Sequence, residues 1–134
     1  ASPIFQSDDQ YGLCYVIERF HITNALRYAE GIADAYIDVD LELERLGCRL
    51  ALISVNDMMI SGRLSEARRQ KDERWRETYL HIERRYGDVG DYYIGIQEEY
   101  KKLVEASKLE HIVIDATDGD WPRCVRQILE FWHI

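Results

Sequence analysis

Arg49-Leu50-Ala51-Leu52-Ile53 is a short apolar run in which polar and apolar positions do not alternate. A strand with water on one face alternates, so a run of this kind suits a strand covered on both faces. Two further runs share the character, Leu13-Cys14-Tyr15-Val16-Ile17 upstream and His111-Ile112-Val113-Ile114-Asp115 downstream. All three are rich in residues that favour strands. Between them the pattern is helical. Tyr36, Val39, Leu43 and Leu46 repeat at helix spacing and Gly47 stops them. Met59, Ile60 and Leu64 form a shorter stripe behind Asn56 or Asp57, either of which can cap it. Trp75, Tyr79, Ile82 and Tyr86 lead to Gly87, and Tyr93, Ile96, Tyr100, Leu103 and Ser107 mark the next helix. The last begins at Asp120-Trp121-Pro122 and is expected to bury Val125, Ile128, Leu129 and Trp132. Strands alternating with helices, with no hairpin turn, predict an α/β fold: a parallel sheet in three layers, helices on both faces. With no repeat or linker, residues 1–134 read as one domain.

Composition narrows the classes. At 134 residues and 46% hydrophobic, the chain can bury a real core. No apolar run approaches the roughly 20 residues of a membrane span, so no membrane partner is expected. The start, Ala1-Ser2-Pro3-Ile4-Phe5, has neither the basic region nor the apolar stretch of a secretory signal. Cys14, Cys48 and Cys124 are odd in number, widely spaced and without C-x-x-C or finger-like histidine spacing. That argues against a zinc site and for the reducing cytoplasm. A net charge of -8 disfavours a nucleic-acid polymer as partner, while leaving room for a nucleotide held by a few converging arginines.

Three groups carry candidate chemistry. Glu18-Arg19 directly follows the first apolar run, and ligands of open α/β sheets bind beyond the carboxyl ends of strands. A carboxylate there can orient a metal-bound water and a guanidinium can hold a phosphate; an ion pair closing the strand explains the same residues. Arg63, Arg68 and Arg69 lie at and after a helix end, where closing arginines would stabilise phosphoryl transfer. Arg74 and Arg76 read as a solvated face with glutamates at helical spacing. Asp115-Ala116-Thr117, in the turn after the third run, can line the edge of a base or simply lead into a capped helix. His21 adjoins the charged pair, and no Ser-His-Asp order is evident.

The order of these parts resembles the later portion of thymidylate kinases and related deoxynucleoside and nucleoside-monophosphate kinases of the P-loop class. The likeness rests on Val16-Ile17-Glu18-Arg19-Phe20-His21, then Leu50-Ala51-Leu52-Ile53, the helix into Arg63, and Ile112-Val113-Ile114-Asp115-Ala116-Thr117. It implies an ATP- and magnesium-dependent transfer to a nucleoside monophosphate such as thymidylate, or to a nucleoside. Glu18 would lie near magnesium, although the family commonly has Asp there. Arg19 would contact phosphate, with Phe20 and His21 beside the acceptor. Arg63, Arg68 and Arg69 would belong to a lid over 63–76, and the turn Asp115, Ala116, Thr117 would adjoin the donor base. Related kinases often pair as homodimers.

The chain contains no G-x-x-x-x-G-K-[ST] phosphate loop. In the family, that loop and a central strand precede the present sequence. Their loss would leave a gap of about 10 Å between the strands at 13–17 and 49–53. The expectation is therefore a fragment whose front part lies elsewhere. Direct pairing of those two strands is the second possibility, and an unrelated non-catalytic α/β interaction module with a degenerate nucleotide-binding fold is the third.

Overall fold

The computed structural model describes residues 16–18, 21–28, 36–70 and 73–133. Element order is α1 (His21–Tyr28), α2 (Ile37–Arg45), β1 (Arg49–Ser54), α3 (Asp57–Gln70), α4 (Glu73–Tyr86), α5 (Val89–Ala106), β2 (Glu110–Asp115) and α6 (Trp121–Trp132). The described residues are mostly helical, around a two-stranded parallel sheet. Register runs from Arg49 opposite Glu110 to Ser54 opposite Asp115. One further rung extends it, from Ala116 N–H to Ser54 O at 2.8 Å. Two of the three expected strands are therefore present, and they pair in parallel.

The expected strand at 13–17 is corrected where it can be seen. Residues 13–15 lie outside the described residues, while Val16 and Ile17 are irregular and Val16 is 91% exposed. An apolar run becomes a strand only where a neighbour supplies hydrogen bonds, and β1 and β2 pair only with each other among the described residues.

Local chemistry sets the helix ends. Gly47, at φ +76°, takes the left-handed conformation that closes α2. Asn56 rather than Asp57 caps α3, its Oδ1 accepting the Met59 N–H at 3.1 Å. α5 begins at Val89, earlier than the aromatic stripe suggests, because Asp88 caps it by accepting from Asp91 N–H at 2.9 Å. Gly90 belongs to that first turn. A Cβ there would lie 2.5 Å from Ser61 Oγ, so α5 can approach α3 only through a glycine.

Burial on α6 also departs from expectation. Cys124 is buried and Ile128 packs beside it, whereas Val125 and Leu129 are exposed. A two-stranded sheet offers only a narrow strip, so α6 covers it with one stripe. That strip is Ile114, Ala116 and Cys124, packed against Ala51, Val55, Ile112 and Ile128. α5 contacts both strands. It runs against their direction, since Gln97 meets Val55 just past the end of β1 and Ser107 sits three residues before β2 begins.

Candidate functional site

Because β1 and β2 are parallel, their carboxyl ends open on the same crest, where open α/β sheets bind ligands. Asp115 folds back on the turn that leaves β2, its Oδ1 accepting from Thr117 N–H at 2.9 Å and from Thr117 Oγ1 at 2.5 Å. Thr117 Oγ1 accepts from Asn56 N–H at 2.8 Å, which ties the two strand-end turns together. Arg63, nearly two turns into α3, donates through Nη2 to Ala116 O at 3.2 Å and Thr117 O at 3.4 Å. The other N–H groups of its guanidinium have no partner among the described residues. Arg123, in the first turn of α6, donates to Asp115 O at 2.6 Å, Asp118 Oδ1 at 3.0 Å and Gln127 Oε1 at 2.8 Å. Asp115, Thr117, Asp118 and Arg123 line an open recess on this crest.

The electrostatics follow from these bonds. The Thr117 hydroxyl, then its N–H, hold the Asp115 carboxyl below the ordinary range. The Asp120 N–H, then the Arg123 guanidinium, do the same for Asp118, and Asp118 raises Arg123 in return. Asp115 and Asp118 therefore stay ionised at neutral pH, beside Arg123 and Arg63.

Arg68 and Arg69 do not join Arg63. The Arg68 guanidinium lies 4.6 Å from the Tyr79 ring centroid, and Arg69 pairs with Glu66 at 2.9 Å. On an α-helix, residues five and six places on from Arg63 sit about 140° and 120° away around the axis. One continuous helix cannot aim all three at the same turn, and α3 is continuous to Gln70. The expected lid over 63–76 comprises the end of α3 and the start of α4, with residues 71–72 outside the described residues.

His21 is elsewhere. It starts α1, is 4% exposed, and its Nε2 lies 2.7 Å from Asp40 Oδ1. Asp40 also accepts from Ser107 Oγ at 2.6 Å and from Lys108 N–H. Burial works to raise the Asp40 pKa, but the bonds from Ser107, Lys108 and His21 outweigh it and leave it lowered. This cluster joins α1, α2 and the loop before β2, at the amino end of the sheet. Gln97 to Ser107 is ten helical residues, about 15 Å, which separates His21 from the crest. Glu18 is exposed, three residues before His21. His21, expected beside an acceptor, has its imidazole against Asp40. The cavity beside it, about 90 Å³, has room for a few waters and not for a nucleotide. Arg19 and Phe20 lie outside the described residues.

Among the described residues no group of three or more His, Cys, Asp or Glu could hold a metal. No helix among the described residues is long and apolar enough to cross a membrane.

The sequence carried no signal for the Asp40 cluster, because nothing local distinguishes Asp40 from the other acids of α2. Arg123 had one: it stands three places after the capping aspartate of a helix that opens on the crest. No family model matches the chain, and neither does any curated protein or solved structure.

Proposed function

We propose that the chain is the lid and acceptor side of a thymidylate kinase-like nucleotide or nucleoside kinase, acting on ATP carried with magnesium. The sheet would then belong to a larger three-layer α/β body, and a phosphate loop would come from chain beyond this sequence or from a partner. One observation carries the reading. Arg63 is anchored through a single nitrogen on two carbonyls of the turn that leaves β2, and its remaining donors have no partner among the described residues. A guanidinium held that way is pre-oriented for a phosphate, at little entropic cost on binding. The Asp115, Ala116, Thr117 turn lies within reach of the same ligand and would border its base.

Thermal shift tests it. A ligand at a hundred times its Kd adds about 2.7 kcal/mol to the folded state. For 134 residues the unfolding entropy is about 0.28 kcal/mol/K, so Tm should rise by about 10 °C with MgATP. Arg63→Ala removes a charged hydrogen bond of about 1.5–3 kcal/mol and should abolish most of that rise. A wild-type Tm unmoved by MgATP and by thymidine monophosphate would refute the reading.

A second reading, a non-catalytic α/β interaction module, draws on Arg68, Arg69 and His21. All three are engaged by Tyr79, Glu66 and Asp40 inside the chain. It expects no shift with either nucleotide, so the same assay separates the two.

A further inference from the structure

We propose that Gln97 is a positioning residue that sets the junction between β1 and α3, and through it the aim of Arg63; the consequence for ligand binding rests on the kinase reading above. In a parallel ladder, alternate residues turn both backbone polar groups toward the same neighbour. The rung from Ala116 N–H to Ser54 O, with Ser54 opposite Asp115, puts Leu50, Leu52 and Ser54 on the β2 side. Ala51, Ile53 and Val55 therefore address the other edge of β1, where no strand lies among the described residues.

At Val55 that edge is closed by a side chain. Gln97 Oε1 accepts the Val55 N–H at 3.0 Å, and Gln97 Nε2 donates to Val55 O at 2.7 Å. One amide thereby supplies both bonds that a neighbouring strand would make, and two bonds to one residue fix its rotation. The following residue, Asn56, is held from the opposite side by Thr117 Oγ1 and caps α3 through its own side chain. Arg63 follows within two turns and reaches the Ala116 and Thr117 carbonyls. The junction is thus gripped by α5 on one side and by the β2 turn on the other. Removing the α5 grip leaves the junction held from the β2 side through Asn56 N–H, with Val55 loosened at the open edge from which α3 starts.

The chemistry demands an amide. Leucine offers neither bond. A glutamate carboxylate supplies the acceptor for Val55 N–H and no donor for Val55 O.

The test measures backbone amide exchange and MgATP affinity in the whole chain, for wild type, Gln97→Leu and Gln97→Glu. In Gln97→Leu, exchange at Val55 should accelerate about tenfold, with the acceleration reaching Met59 at the start of α3. MgATP affinity should fall about three- to tenfold. Gln97→Glu keeps the shape but turns a carboxylate oxygen toward Val55 O, so it should also lose affinity and speed exchange at Met59, a loss that a purely packing role would not give. Unchanged exchange at Val55, acceleration confined to Val55, or full MgATP affinity in Gln97→Leu would each overturn the proposal. If wild type does not bind MgATP, the kinase reading fails. Exchange at Val55 and Met59 then decides alone: acceleration at both upholds the junction role, and anything less overturns it.

Discussion

Replacing Asp40 by alanine should cost more than any other single change in the described part of the chain. Asp40 is 6% exposed and accepts three hydrogen bonds, from His21 on α1, Ser107 after α5 and the Lys108 N–H before β2. Its loss removes the partner of Nε2 on a buried imidazole and the acceptor of the Lys108 backbone N–H. Removing one partner of a buried pair costs about 3–5 kcal/mol. Taking about 4 kcal/mol and the unfolding entropy of about 0.28 kcal/mol/K, Tm should fall by about 14 °C. Asp40→Asn keeps an acceptor for His21 and Ser107 but turns an NH₂ toward the Lys108 N–H, so it should fall less. Thermal melts by circular dichroism at neutral pH measure all three proteins. A loss below about 3 °C in Asp40→Ala would refute the claim that this carboxylate clasps three elements. It would also return His21 to the list of residues available to a ligand.

Acid should act through the same carboxylate. The folded-state pKa of Asp40 is lowered, so its contribution is complete above the unfolded value of 3.8 and is lost as pH falls through the folded value. Wild-type stability should therefore drop faster than that of Asp40→Asn below about pH 4 in urea titrations. Gly90→Ala places a Cβ 2.5 Å from Ser61 Oγ and should destabilise by about 1–3 kcal/mol. Combining it with Ser61→Gly should restore most of the loss, read by chemical denaturation. Arg68→Ala removes an exposed cation–π contact with Tyr79 worth about 0.5–1 kcal/mol and should leave any MgATP-induced Tm rise intact, unlike Arg63→Ala.

Strands β1 and β2 were legible because unalternating runs bounded by turn residues have few other uses. The helix stops at Gly47 and Gly87, and the cap at Asp120, were legible because left-handed turns and capping carboxylates are local demands on particular residue types. The start of α5 was hidden, since Gly90 looks like a break until the approach of Ser61 explains it. At the site, the turn after Asp115 and Arg63 could be named separately. That Arg63 reaches the turn's carbonyls, and that Arg68 and Arg69 turn away, depends on the phase of α3 relative to β2.

The sequence by itself determined the local grammar of this chain: the two apolar runs that pair as parallel strands, the stripes of the intervening helices, and most of their caps. Those features answer to forces acting within a few residues, hydrogen-bond satisfaction at chain ends and the period of apolar positions. Tertiary structure alone decided which charges meet. It set Arg63 at the carboxyl ends of the strands, buried His21 against Asp40 about 15 Å away, and gave the open edge at Val55 to Gln97. Such pairings join residues 19 to 53 positions apart, and only packed helices fix the rotation and rise that bring them within hydrogen-bond reach.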